Sequence, residues 1–219
     1  MNKDINKKLT SIYKALYAME GSRHWWPAET QFEVLAGTIL TQFVSWSNVA
    51  KAINNLKAGN VLSINGICEI EDSKLGEMIR CTRFYNGKVK KLKALCNHIR
   101  DKYKGSLTLF LEREITELRS ELLSIYGIGE ETADAIILYA ADKPIFVVDS
   151  YTRRIFSRLG FFDTRVTYGE MQRFFMDNLL CDVWLYNDFH AQIDNLGNRY
   201  CFEKNPKCTE CPVNTFCKY

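Results

Sequence analysis

Four of the eight cysteines lie within the last nineteen residues of this 219-residue chain. They have the spacing C-x6-C-x2-C-x5-C and comprise Cys201, Cys208, Cys211 and Cys217. Zinc is the metal that clustered cysteines usually bind, but most zinc sites of this kind join two C-x2-C pairs by a longer loop. Four thiolates in one compact loop also suit a [4Fe–4S] cluster. The spacing therefore favours iron–sulfur over zinc, and a disulfide framework is not expected in a cytoplasmic chain.

A second pattern, YGIGEETADA over residues 126–135, places two glycines around one apolar residue just before a predicted helix. Gly127 and Gly129 permit positive φ and a close approach of the main chain to a ligand. The amide groups that start the following helix, together with its dipole, favour an anion. The turn thus predicts a phosphate site that positions nucleic acid without reading its sequence. An ordinary connection between two helices is the alternative interpretation.

An aspartate lies between an apolar run and a basic segment in IFVVDSYTRR, residues 145–154. Aspartate is favoured immediately before a helix, where its carboxylate accepts hydrogen bonds from backbone N–H groups. We therefore predict that Asp149 caps a helix beginning near Tyr151 and is partly buried by the preceding residues. A carboxylate held in this way can also activate water or stabilise a developing positive charge.

Composition narrows the class of protein. Apolar residues make up 47% of the chain and charged residues 25%, as in ordinary globular proteins. No apolar run approaches the roughly 20 residues that span a bilayer, and the N-terminal segment has the pattern of an amphipathic helix, so we expect a cytoplasmic protein. The net charge is only +3. The case for a nucleic-acid partner therefore depends on the basic clusters at residues 88–93 and 153–158.

The elements that must position these residues are predicted to be helices. Apolar residues recur with the helical period in most segments, among them residues 30–42, 88–103 and 115–125. A buried helix is predicted at 134–141. The run IFVVDS could pass for a strand, but no second strand is evident to pair with it. The sequence thus predicts an all-α fold of two closely packed helical lobes.

The cysteine spacing, the preceding HAQIDNLGNRYC, and the stretch LLSIYGIGEETADAIILYAADKPIFVVDSYTRRIFSRLG together resemble the endonuclease III superfamily of DNA glycosylases. The resemblance implies a helix–hairpin–helix that binds DNA, matched here by Gly127, Ile128, Gly129 and Thr132. It implies that the four cysteines hold a structural [4Fe–4S] cluster. It also implies that Asp149 assists cleavage of the N-glycosidic bond.

Bifunctional members of this family carry a lysine two positions after the second glycine, and that lysine forms a Schiff base with C1′ of the sugar. This chain has Glu131 at that position, and a carboxylate cannot form an imine. The resemblance therefore implies a monofunctional glycosylase, with Glu131 also a candidate for the base pocket. The family segment that matches LTQ implies that Gln42 enters the space left by a flipped nucleotide.

The segments WWP…FE.L.G.ILTQ and FYNGKVKKL look like the 3-methyladenine DNA glycosylase branch of this superfamily. An alkylated purine carries a positive charge, and indole faces attract cations by roughly 0.5–2 kcal/mol per contact. A base excised from a duplex must be flipped out, and stacking on aromatic rings holds it there. We predict that Trp25, Trp26 and Trp46 form the walls of this pocket, with His24 as a candidate hydrogen-bonding group. Aromatic core packing is the alternative.

Together these inferences predict a two-lobed helix–hairpin–helix DNA glycosylase fold with a C-terminal iron–sulfur loop. Residues 24–142 would form a six-helix domain, and residues 1–23 with 143–219 a second helical domain, with the active site between them. The protein would act as a monomer on double-stranded DNA containing a damaged base, without a membrane partner. The lysines at 88–93 and the arginines at 153, 154 and 158 would contact phosphates as a group.

Several alternatives stay open from sequence. An endonuclease III-like enzyme would excise oxidised pyrimidines or mismatched thymine or uracil, although enzymes for oxidised pyrimidines usually keep the lysine. An adenine-specific enzyme would act opposite a damaged guanine, but that branch usually carries a further C-terminal domain. A non-catalytic protein that binds damaged DNA, with a redox-sensing cluster, would account for the missing lysine but not for the retained Asp149.

Overall fold

All regular structure is helical in the computed structural model, which describes residues 2–163 and 165–219. In chain order, the α-helices of these residues are α1 Lys3–Glu20, α2 Gln31–Leu40, α3 Trp46–Ala58, α4 Ile64–Glu69, α5 Asp72–Met78, α6 Tyr85–Tyr103, α7 Leu107–Leu111, α8 Ile115–Ser124, α9 Glu130–Ala135, α10 Ser150–Arg158, α11 Tyr168–Asn178 and α12 Val183–Arg199. Short 3-10 helices lie at Arg80–Thr82, Cys208–Glu210 and Asn214–Phe216, and a π-helical turn at Ile136–Ala140.

The described residues contain no β-strand, which confirms the all-α prediction. Residues 145–149, the apolar run that could have been a strand, are irregular backbone leading into α10. No described helix is both long and apolar enough to cross a membrane. The chain divides into two compact units, which we call the terminal unit (residues up to Pro27 together with Pro144–Tyr219) and the middle unit (Ala28–Lys143).

The middle unit is organised around α2 and α6. Helix α2 is buried along its length from Glu33 to Leu40 and packs against α3, α6 and the π-helical turn. Helix α6 buries Leu92 and Ile99 and also contacts α4 and α5. Each fully buried aliphatic side chain of this kind stabilises the fold by about 1.5–3 kcal/mol. These contacts hold the ends of α2 and α9, which carry most of the residues predicted to bind DNA.

One carboxylate of the middle unit is buried among hydrogen-bond donors. The Glu121 side chain accepts hydrogen bonds from Lys102 Nζ at 2.8 Å, Tyr103 Oη at 2.7 Å and Arg113 Nη1 at 2.7 Å, and His98 Nε2 lies 2.5 Å away. Burial raises the pKa of Glu121, but these partners outweigh burial and bring it down to about 2. The carboxylate is therefore ionised, and both of its oxygens are occupied by partners within the fold.

The terminal unit has an aromatic core between α10, α11 and α12. Phe146 stacks on Phe175 with ring centroids 4.2 Å apart, and Phe156 meets Phe175 edge-on at 4.7 Å. Phe189 and Tyr186 on α12 are fully buried beside them. Such pairs are worth about 0.5–1.5 kcal/mol beyond the area they bury. This core fixes the segment just before α10, where Asp149 lies.

Candidate active site and DNA-binding elements

Asp149 is the N-cap residue of α10. Its Oδ1 atom accepts hydrogen bonds from the backbone N and the hydroxyl of Thr152, both at 2.7 Å. Its Oδ2 atom accepts none from the described residues. The preceding Val147 and Val148 are buried, whereas Asp149 is partly exposed. The cap thus orients the carboxylate with one oxygen and leaves the other for a water or a substrate.

Two titratable residues of α12, His190 and Asp194, lie one helical turn apart and within electrostatic reach of Asp149. Burial, reinforced by the charge of Asp149, raises the pKa of Asp194 to about 7. Burial lowers the pKa of His190, against the opposing effect of Asp149. Asp194 is therefore partly protonated near neutral pH, and burial disfavours the charged form of His190. Sequence reasoning missed Asp194, although its i,i+4 spacing from His190 was a usable signal.

The tryptophans at 25 and 26 belong to the terminal unit, and their rings lie 5.3 Å apart and partly exposed. The segment before them is tied to α12 through Asp188, a second residue that sequence reasoning missed. Asp188 Oδ1 accepts hydrogen bonds from Ser22 Oγ at 2.9 Å and from the Arg23 backbone N at 2.7 Å. The buried carboxylate therefore fixes the approach to the tryptophan pair.

The other residues predicted for the base pocket are placed differently. His24, in the same unit as the tryptophan pair, is exposed. Trp46, partly exposed, is the first residue of α3, and Glu131 is exposed in the first turn of α9; both belong to the middle unit. The structure thus brings the rings of Trp25 and Trp26 into contact, while the pocket role of all five residues stays a prediction.

The glycine turn joins α8 to α9 in the middle unit. Gly127 has φ +82°, a conformation that L side chains rarely adopt, and Gly129 is the N-cap residue of α9. Ile128 between them is buried, and its N–H donates to the Ile125 carbonyl at 3.2 Å. The helix predicted at 134–141 in fact begins at Glu130, because the turn ends at Gly129, and it changes to π-helical geometry at Ile136.

The side chain of Gln42 joins the end of α2 to α9. Its Nε2 atom donates to Thr132 Oγ1 at 3.0 Å, and its Oε1 atom accepts from Lys91 Nζ at 2.5 Å. Gln42 and Thr132, both predicted to bind DNA, are therefore in direct contact. Lys91 had been predicted only as one member of a basic cluster, because sequence cannot show which lysine of a run faces the interior.

The basic side chains of residues 88–93 differ in their exposure to solvent. Lys88 is buried, and its ammonium donates to the carbonyls of Leu40 at 2.7 Å and Thr82 at 2.5 Å. Burial lowers its pKa to about 8. Lys88 was predicted only as one member of a basic group, and its position on the inner face of α6 directs its ammonium to the end of α2. Lys90, two residues later, is exposed.

The arginines of α10 contact the cysteine loop. Arg154 Nε donates to the Cys201 carbonyl at 2.9 Å, and Arg158 Nη1 lies 3.2 Å from Cys201 Sγ and donates to the Phe202 carbonyl at 2.7 Å. Contact with phosphates stays a prediction for these residues. Their described partners show that they hold the loop against α10.

The cysteine loop encloses one pocket with all four of its sulfur-bearing residues on the lining. These residues are Cys201, Cys208, Cys211 and Cys217, and none forms a disulfide. Among the described residues, no three or more His, Cys, Asp or Glu side chains are grouped closely enough to hold one metal ion. A single zinc ion needs four sulfurs at about 2.3 Å from one point. In a [4Fe–4S] cluster each thiolate binds a different iron, so the sulfurs lie farther apart.

A family model and one relative match most of the chain. The model of the HhH-GPD superfamily of base excision DNA repair proteins matches residues 36–179. A protein of Methanocaldococcus jannaschii named "Putative DNA repair glycosylase MJ1434" is 44% identical over 207 residues, which cover 94% of each chain.

Two solved structures resemble this one over nearly its full length. The crystal structure of Helicobacter pylori 3-methyladenine DNA glycosylase (MagIII) bound to 1,N6-ethenoadenine has a TM-score of 0.75 and 31% identity, covering 90% of this chain and 96% of that one. A non-covalent endonuclease III–DNA complex has a TM-score of 0.83, with coverage of 97% and 95%. Its 21% identity means that this second likeness establishes the fold alone.

Proposed function

The chain belongs to the HhH-GPD superfamily of base excision DNA repair proteins and is a DNA glycosylase; from that premise we propose that it is a monofunctional enzyme for alkylated purines such as 3-methyladenine. The observation that carries a hydrolytic role is the cap geometry of Asp149, with one oxygen held by Thr152 and the other available. The observations that favour an alkylated purine are the tryptophan pair and the 31% identity to an enzyme named for 3-methyladenine.

In the proposed reaction, Asp149 faces C1′ of the damaged nucleotide through its Oδ2 atom. The N-glycosidic bond breaks with its electron pair moving onto the base, which leaves neutral if it was a methylated cation. The carboxylate stabilises the positive charge that develops on the sugar and accepts a proton from the water that attacks C1′. Since Asp194 is largely protonated below its pKa of about 7, it adds little repulsion to a negatively charged Asp149.

We propose that Trp25 and Trp26 bind the base because a cationic purine is attracted to indole faces. Their partial exposure leaves ring surface for a ligand, and Asp188 holds the segment that precedes them. A neutral pyrimidine would gain stacking but not this cation–π term. His24, in the same unit, is a further candidate for this pocket, whereas the roles of Trp46 and Glu131 in base binding stay predictions from the sequence.

We propose that the turn with Gly127 and Gly129 binds a DNA phosphate through backbone N–H groups, together with the N-terminal end of the helix that follows. The acidic Glu130 and Glu131 suit the first turn of α9, where carboxylates interact favourably with the helix dipole. Arg119 lies 3.4 Å from Glu130 and 2.7 Å from Asp134, which offsets part of this negative charge. Because Glu131 takes the place of the Schiff-base lysine, no lyase step is proposed.

We propose that the pocket lined by the four cysteines holds a [4Fe–4S] cluster, because four thiolates in one compact loop suit such a cluster. When bound, such a cluster would supply a rigid, covalently linked loop, with Cys201, Cys208, Cys211 and Cys217 as its ligands. Arg154 and Arg158 already brace this loop against α10. We assign the loop a structural role, and the excision step does not pass through it.

Base release from methylated duplex DNA tests the proposal, with free bases and strand breaks measured in the same reaction. We expect 3-methyladenine to be released while the strands stay intact until alkali is added. Strand cleavage without alkali, together with trapping of the protein on DNA by borohydride, would overturn the monofunctional assignment. Release of an oxidised pyrimidine in preference to 3-methyladenine would replace the substrate, and tight binding without any release would favour the damage-binding alternative.

A further inference from the structure

The Lys91 side chain on α6 connects two parts of the predicted DNA-binding surface of the middle unit. Its ammonium donates to Gln42 Oε1 at 2.5 Å, and its aliphatic stem lies directly over Gly127. We propose that Lys91 is a positioning residue, which fixes the Gln42 side chain for insertion into the duplex and links it to the phosphate-binding turn. This inference rests on the proposed function, in which Gln42 fills the space left by the flipped base.

Gln42 needs such support because it follows the last turn of α2 and has a long side chain. Free glutamine side chains lose considerable rotamer freedom when they are ordered. Here the amide is held from two different helices, by Lys91 on α6 and by Thr132 on α9. A side chain ordered before DNA binds does not meet that cost during binding. The two contacts also decide which end of the amide is the donor and which the acceptor.

Gly127 has a second role in this arrangement besides its positive φ. A Cβ atom at this position would lie 2.3 Å from Lys91 Cγ and 2.7 Å from Lys91 Cδ. The glycine therefore leaves the space through which the lysine stem crosses the turn. As a result, the turn that would hold a phosphate and the glutamine that would enter the duplex contact the same side chain.

The competing explanation is that Lys91 merely adds positive charge for DNA phosphates. Lys91→Met keeps an apolar stem over Gly127 and removes the ammonium. Lys90→Met is the matched control, because it removes the same charge from the neighbouring exposed position. Both variants are compared in binding to an undamaged duplex and to the same duplex with a tetrahydrofuran abasic analogue, at one salt concentration.

We expect Lys90→Met to weaken both complexes equally and slightly. Lys91→Met should weaken binding to the abasic duplex by about tenfold more than binding to the undamaged one, a ratio that corresponds to about 1.4 kcal/mol. An equal loss on the two duplexes would overturn the positioning role. If the wild-type protein binds both duplexes equally well, Gln42 does not fill the space of the missing base. The positioning role of Lys91, which depends on that premise, then fails as well.

A double-mutant cycle measures the coupling between Lys91 and Gln42, which a general structural role of Lys91 would not produce. If Lys91 acts through Gln42, Lys91→Met causes no further selective loss on the abasic duplex in a Gln42→Ala background, and an additive selective loss would contradict the inference. Thermal unfolding checks that Lys91→Met is folded. Should it be unstable, Thr132→Val tests the other contact of the amide and should show the same selective loss. None of these measurements needs a particular damaged base. If 3-methyladenine is not released, the proposed substrate is therefore wrong, while the positioning role of Lys91 can still be tested.

Discussion

Glu121 in the middle unit and Asp194 in the terminal unit are both shielded carboxylates, and their pKa values move in opposite directions. Glu121 meets Lys102, Tyr103 and Arg113 as donors, and its pKa falls to about 2. Burial and the nearby charge of Asp149 raise the pKa of Asp194 to about 7, against one amide hydrogen bond that it accepts from Asn198 at 3.2 Å.

The contrast separates a carboxylate that supports the fold from carboxylates that are available for chemistry. Every strong partner of Glu121 stabilises its charge, so its ionisation contributes to stability and leaves no acceptor for a substrate. Around Asp149 the neighbouring groups tend towards neutrality instead, and one oxygen of Asp149 accepts no hydrogen bond from the described residues. A titratable group such as Asp194, whose pKa is shifted by burial and by a nearby like charge, is common at functional sites.

The largest effect is expected from Asp149→Asn. The amide oxygen can still accept from Thr152, so the helix cap and the fold should survive. Base release should fall by about 10²–10⁴-fold because the amide cannot accept a proton or stabilise the sugar cation as well. Asp182→Asn is the control, since Asp182 caps α12 in the same unit by accepting from Leu185 N at 2.7 Å. The rate of base release in a single turnover is measured, and DNA affinity is measured separately to show that it is unchanged. Equal release rates in the two variants would show that Asp149 takes no part in the reaction.

Glu121→Ala should destabilise the protein by about 1–3 kcal/mol, because Tyr103, Arg113 and His98 lose their shared acceptor. Since the folded pKa of Glu121 is depressed, its contribution is complete above pH 4.5 and is lost as the pH falls towards 2. Denaturant unfolding at pH 7 and pH 3 measures both effects. Glu117→Ala removes an exposed partner of Arg113, 2.9 Å away, and should cost under about 1 kcal/mol. Similar losses in both variants would refute the structural role of Glu121.

Asp194→Asn should stabilise the protein at alkaline pH, in contrast to Glu121→Ala, and the change in the free energy of unfolding should be no larger. Because the folded pKa is raised from 3.8 to about 7, the folded state binds this proton more tightly, and stability decreases as the pH rises from about 4 to about 7. The asparagine has no such loss, so at pH 8 the variant should be more stable than the wild type by on the order of 2 kcal/mol. Unfolding at pH 5 and pH 8 would show it. A variant that is less stable at pH 8 would show that the neighbours of Asp194 stabilise its charge.

The elements predicted well from sequence are those whose physics is local. The helical period, the cap at Asp149 and the turn at Gly127 each depend on residues within a few positions along the chain, and the structure has them where the pattern placed them. The helix after the glycine turn begins at Glu130, where the turn predicts it, and its apolar part follows. The buried position of Lys88 could not be predicted, because the charge of a lysine says nothing about which side of its helix is buried.

By itself the sequence determined the helical class and the grouping of four cysteines in one loop, and its motifs resembled those of the glycosylase family, because spacing along a chain is enough to encode a period, a turn or a motif. Only the tertiary structure decided that Lys91 holds Gln42, that Asp188 anchors the approach to the tryptophans, and that Asp194 lies within electrostatic reach of Asp149. The residues of each pair lie about 45 to 165 positions apart in the sequence, and a pKa or a side-chain orientation depends on such distant neighbours.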